Sequence, residues 1–97
     1  MTIYISMMSY TDKGIQTVRQ SPRWLDAAQK ILEDMGGRFR DFFLTMGTYD
    51  LVLIYEAPDD AVSARFQLLL AAQGNVRTTT MKAFPEAAYR EIVASLG

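Results

Sequence analysis

The stretch Met46-Gly47-Thr48-Tyr49-Asp50-Leu51-Val52-Leu53-Ile54-Tyr55-Glu56 decides how this chain is laid out. It opens on a tight bend and runs on as a strand whose two faces are both apolar until Glu56. Side chains alternate along a strand, so Val52 and Ile54 share one face and Leu51, Leu53 and Tyr55 the other. A strand covered on one side only carries polar residues at every second position. This one requires cover on both sides, which places it centrally in its sheet with helices over one face. What covers the second face sets the quaternary structure.

Upstream of the bend, Arg38 to Met46 reads as another strand, with Phe42, Leu44 and Met46 on one side and Phe39 and Phe43 on the other. Gly47-Thr48 turns it back on its neighbour, so the two form an antiparallel hairpin. Before them lies a helix opened by Ser21-Pro22, a capping hydroxyl followed by a residue suited to the first helical turn. Trp24, Ala28, Ile31 and Met35, with Leu25 and Leu32 beside them, make its apolar stripe. Gly36-Gly37 stops it. The chain begins with a strand over Thr2–Tyr10, in which Ile3, Ile5 and Met7 share one face and Tyr4, Ser6, Met8 and Tyr10 the other. Thr11-Asp12-Lys13-Gly14 reads as a loop.

Downstream, Ala57-Pro58-Asp59-Asp60 ends the central strand and opens a second helix, with carboxylates favourably placed at its N-terminus. Val62, Phe66 and Leu69, flanked by Leu68 and Leu70, make that helix apolar over much of its girth. Gln73-Gly74-Asn75 closes it, Val76 to Phe84 is a Thr-rich fourth strand, and Pro85-Glu86 starts a short helix to about Ser95.

The order strand, helix, strand, strand, helix, strand, tail helix predicts an α+β fold. It is a ferredoxin-like βαββαβ sandwich with a four-stranded antiparallel sheet, two helices on one face and an extra C-terminal helix. Residues 1–97 make one domain on this reading. Tyr4, Met8, Leu51, Leu53 and Tyr55 are the expected side chains of the open sheet face. An apolar patch of that size marks an interaction surface, and a two-fold homodimer with its sheets packed into a closed α/β barrel is the economical cover.

Composition narrows the function. Ten Lys and Arg against eleven Asp and Glu leave no basic excess to neutralise a row of phosphates, so no nucleic-acid partner is expected. The chain has neither Cys nor His, which removes thiolate nucleophiles, the commonest metal ligands and the commonest general base near neutral pH. No metal and no cofactor are expected. No basic segment precedes an apolar run at the N-terminus, and no apolar stretch approaches about 18 residues, so a cytoplasmic protein without a membrane partner is the expectation.

Four separated motifs resemble the GYD family. They are Met46-Gly47-Thr48-Tyr49-Asp50-Leu51-Val52 with Glu56-Ala57-Pro58-Asp59-Asp60, then Gly74-Asn75-Val76-Arg77-Thr78-Thr79-Thr80 with Lys82-Ala83-Phe84. Tyr10-Thr11-Asp12-Lys13-Gly14 and Ser21-Pro22-Arg23 complete the set. The resemblance spans nearly the whole chain and implies a dimeric α/β barrel. It assigns no reaction. The wider fold group contains cofactor-independent monooxygenases, isomerases, haem enzymes and stress-related proteins, several of which use a His absent here.

The candidate site residues each carry two readings. Asp50 is a ligand-binding carboxylate with Tyr49 as a partner donor, or Asp50 bonds nearby backbone N–H groups at a hairpin exit while Tyr49 packs. Arg77 with Thr78, Thr79 and Thr80 lines a pocket for a small anion or polar ligand, or belongs to plain β structure with Arg77 paired to Asp50 or Asp12. Thr11 belongs to a loop over a cleft, or to an ordinary connection. The functional expectation is a homodimer that binds a small ligand or assembles further, with no catalytic constellation legible. The alternative is a cofactor-independent monooxygenase- or isomerase-like enzyme, working between the first helix and the sheet.

Overall fold

The computed structural model describes residues 1–97. Nine alternating residues at the N-terminus form strand β1 (Thr2–Tyr10). A short helix α1 (Asp12–Gln16) and a 3-10 turn over Val18–Gln20 lead into helix α2 (Ser21–Asp34). Strands β2 (Arg38–Leu44) and β3 (Leu51–Ala57), helix α3 (Asp60–Ala72), strand β4 (Val76–Ala83) and helix α4 (Glu86–Ala94) follow. The four strands lie in the order β2-β3-β1-β4, every neighbouring pair antiparallel. This is the ferredoxin-like arrangement, with β3 and β1 central as the two-sided apolar pattern of β3 requires.

The core lies between one face of the sheet and helices α2 and α3. Tyr4 and Met8 of β1 and Leu51, Leu53 and Tyr55 of β3 are buried there with Leu32 of α2 and Phe66 of α3. These five strand side chains therefore lie under the helices, and the expectation that they form the open face is reversed. The pleat then turns Ile3, Ile5, Met7, Val52 and Ile54 to the other side, opposite Met81, Thr79 and Phe43 on the flanking strands. Periodicity separates two faces of a strand but does not say which one the helices take. With both faces apolar, packing against Phe66 and Leu32 made the choice.

Tyr55 stacks on Tyr4 at 5.4 Å between ring centroids and meets the edge of Phe66 at 5.1 Å. Polar groups in this layer are all paired. The Tyr55 hydroxyl bonds Ser63 Oγ at 2.6 Å and accepts from Gln67 Nε2 at 2.9 Å, while Thr80 Oγ1 donates to buried Ser6 at 3.1 Å. Helix α3 thus buries Ser63, Phe66 and Leu70 at helical spacing and leaves Leu68 and Leu69 exposed. Asp59 caps that helix by accepting Val62 N–H at 2.9 Å.

Four local expectations change, the first at the start of α2, where Ser21 is itself the first helical residue and no side chain caps the helix. The pairing of β2 with β3 slips between Phe39 and Asp41, a bulge that moves Phe39 onto the helix side with Phe42 and Leu44. Strand β2 ends at Leu44, so the hairpin connection runs from Thr45 to Asp50 and Met46 is 99% exposed. Residues 12–16, read as a loop, are a helical turn, because Thr11 caps it by accepting Gly14 N–H at 3.0 Å. Gly14 is buried against the α3–β4 connection, and a Cβ there would stand 1.9 Å from Asn75 O. Only glycine permits that approach.

Candidate functional site

A cavity of about 610 Å³ lies between the sheet and the α1–α2 segment. Its floor is Met8, Tyr10, Leu51 and Leu53 on the central strands, and its roof is Val18, Pro22, Trp24 and Leu25. Ala28, the buried residue of α2 that lines the cavity, is too small to fill the space. Phe42, Leu44 and Ile15 line it while remaining exposed, so the mouth is apolar. Four polar residues without an aromatic ring contribute to the wall: Asp50, Asn75, Gln73 and Ser21. No Lys or Arg does.

Asp50 is held by its own backbone neighbourhood. Its amide donates to Met8 O at 2.9 Å and its carbonyl accepts Thr45 N–H at 2.8 Å. Its Oδ2 accepts Tyr10 N–H at 2.9 Å where the β1–β3 ladder ends. One carboxylate oxygen thus replaces a ladder acceptor, while Oδ1 forms no hydrogen bond within the chain. Asn75 is held at the same end, since its carbonyl accepts Thr11 N–H at 3.1 Å. Its side-chain amide forms no hydrogen bond within the chain and keeps accessible atoms, in a residue only 9% exposed overall.

The other residues singled out in the sequence do not meet at this cavity. Thr11 serves the fold: its hydroxyl donates to Gly74 O at 2.5 Å, and Lys13 Nζ reaches Gln73 O at 2.9 Å, docking α1 on the end of α3. Tyr49 is half-buried in the hairpin connection, its carbonyl accepting from Thr45 Oγ1 at 2.6 Å. Arg77 and Thr79 are exposed on β4 opposite Ser9 and Met7, on the open side of the sheet. Arg77 forms no ion pair with Asp50 or Asp12, because the strand pleat turns it away from the cavity. Asn75 and Gln73 read in the sequence as a helix stop, and nothing in their spacing announces that they face a cavity.

A second polar group lies beyond the α3 N-terminus. Tyr4 Oη donates to Asp60 Oδ1 at 2.6 Å, and Lys82 Nζ lies 3.3 Å from the same carboxylate. Burial, and then the bond to Asp60, push the Tyr4 phenol up to about 12. Tyr4 and then Lys82 hold Asp60 below the usual carboxylate range. Glu56 is likewise lowered, chiefly by its bond to Arg38. These groups are satisfied by one another and stabilise the sheet edge. No cluster of three or more Asp or Glu is placed to hold a metal ion.

Residues 4–93 match the GYD domain. The chain belongs to the GYD domain family. The match extends from β1 to α4, so sheet, cavity and both polar groups all lie within the GYD domain. This GYD protein is 36% identical over 88 residues to the glutamine synthetase and cystathionine β-lyase binding protein of Thermus thermophilus, an alignment covering 90% of this chain and 93% of the relative. No helix of the GYD protein is long and apolar enough to cross a membrane.

Proposed function

We propose that this protein is a cytoplasmic binding module without catalysis of its own, working as a homodimer closed through the open face of its sheet. The observation that carries this reading is the open face itself. Ile3, Ile5, Met7, Val52 and Ile54 form a continuous apolar surface with no element of the chain over it. Large apolar patches of this kind are interaction surfaces. A second copy supplies a face of the same composition, and two-fold pairing lets each copy bury the patch of the other.

The dimer then acts as a platform for other proteins. The Thermus relative supports this part, since its name describes a protein that binds two enzymes and it is aligned over nearly its whole length. Glutamine synthetase and cystathionine β-lyase are accordingly the first partners to test. Light scattering across a dilution series should show a dimer at micromolar concentration, and immobilised protein should retain at least one of the two purified enzymes. A folded monomer at that concentration would remove the homodimer, and failure to retain either enzyme would remove the platform.

A further inference from the structure

The cavity under α2 carries an inference independent of the dimer and of its protein partners. We propose that it is a binding site for a small apolar molecule with a non-anionic head that donates a hydrogen bond. Its volume of about 610 Å³ falls in the range of small-molecule sites, roughly 300–1,000 Å³, and such sites combine apolar walls with a few convergent polar groups.

Backbone amides at the end of β1 hold the two polar residues of the wall in place. Tyr10 and Thr11 are consecutive residues, and their amides hold Asp50 Oδ2 at 2.9 Å and Asn75 O at 3.1 Å. Consecutive amides of a strand point to opposite neighbours, so Asp50 stands on the β3 side and Asn75 on the β4 side of the end of β1, both in the cavity wall. The Asn75 side chain forms no hydrogen bond within the chain, and its amide atoms stay accessible at the cavity wall, open to a ligand group. Asp50 accepts, and Asn75 both donates and accepts. A hydroxyl or an ammonium head satisfies Asp50.

An anionic head is disfavoured. It would face the Asp50 carboxylate in a wall that contains no Lys or Arg. Arg77, the cation nearest in sequence to Asn75, lies on the opposite side of the sheet. The remaining wall is aliphatic and aromatic and fits an unbranched or ring hydrocarbon body.

The chain's single tryptophan, Trp24, lies in the roof, so its emission reports on the occupied cavity. Three probes with the same hydrocarbon body and different heads make the test: 1-octanol, octylammonium and octanoate, titrated into the full chain. Octanol and octylammonium should shift or quench Trp24 emission with saturation, and octanoate should bind at least ten-fold more weakly. Asp50→Asn keeps an oxygen for Tyr10 N–H while removing the charge, and should reduce the octylammonium–octanoate ratio at least five-fold. Ala28→Leu fills the roof and should weaken all three probes. Equal affinity of the wild-type protein for all three heads would overturn the proposal, as would the absence of saturable response at millimolar probe. An undiminished response in a folded Ala28→Leu variant would place the probes elsewhere and overturn it as well.

Discussion

The two faces of the central strands are built from similar residues and do different work. On the helix side, Tyr4, Met8, Leu53 and Tyr55 are buried beneath α2 and α3, the two tyrosine hydroxyls bonded to Asp60, Ser63 and Gln67. On the other side, Ile3, Ile5, Met7, Val52 and Ile54 are only half-buried, shielded by neighbours in the sheet and by nothing above it. The sealed side includes polar side chains, each with a partner, whereas these five positions of the open side carry none. A hydroxyl is useful where a fixed partner within the chain can satisfy it, and it is a cost on a surface that must desolvate against another molecule. Hydrophobic content alone therefore does not identify a core.

Adjacent residues on opposite faces give the sharpest test. Leu53→Asp places an unpaired carboxylate in the sealed layer and should cost more than about 4 kcal/mol, enough to unfold the chain in a urea melt. Ile54→Asp, one residue on, should leave a folded monomer within about 1 kcal/mol of its stability and weaken self-association at least ten-fold, or about 1.4 kcal/mol. If both variants unfold alike, the open face is part of the core of each subunit. If Ile54→Asp has no effect on sedimentation, that face is not the dimer interface.

Phe66 is the hub of the sealed side, fully buried between Tyr55 and Phe39. Phe66→Ala should cost about 3–5 kcal/mol, measured by denaturant midpoint with an unchanged slope. Gly14→Ala probes the join between α1 and α3. The new methyl would collide with the Asn75 carbonyl, and the shift it forces should cost about 1–3 kcal/mol while displacing Asn75 from the cavity. Hydrogen exchange at the Thr11 amide would read that displacement directly.

A smaller effect comes from pH. The folded state raises the Tyr4 phenol from 10.0 to about 12, so its contribution is fully present below pH 10 and disappears as pH rises from 10 to about 12. Asp60 has the opposite sign. Its folded value lies below 3.8, so its contribution is present above that pH and is lost as pH falls through the lowered value. Tyr4→Phe should flatten both limbs of a plot of melting temperature against pH. The smallest effect belongs to Arg77→Gln, which should change stability by no more than about 0.5 kcal/mol, since Arg77 is exposed and unpaired. A loss of several kcal/mol there would show that the cation is engaged, and a matching loss of dimer would place its partner on the second copy.

The strand–helix order, the hairpin and the central place of β3 were all legible in the chain, because each rests on a local pattern. The bulge after Phe39 was not, since an extra residue in a ladder is invisible until its partner strand is present. The candidate site was legible only in part. Asp50 stood out as a charge at the start of a strand, and the structure places it on the cavity wall. Arg77 stood out for the same reason, yet lies across the sheet, because two positions in separate strands share a side only if their registers agree.

The sequence by itself determined the elements, their antiparallel succession and the presence of two apolar faces, since periodicity and turn residues act over a few neighbours. Tertiary structure decided which face the helices cover, that Ala28 leaves a void above Met8 and Leu53, and that Asp50 and Asn75 both line its wall. Those outcomes depend on side-chain volumes and pairing registers summed over residues as distant as Tyr10 and Asn75. No local pattern contains them.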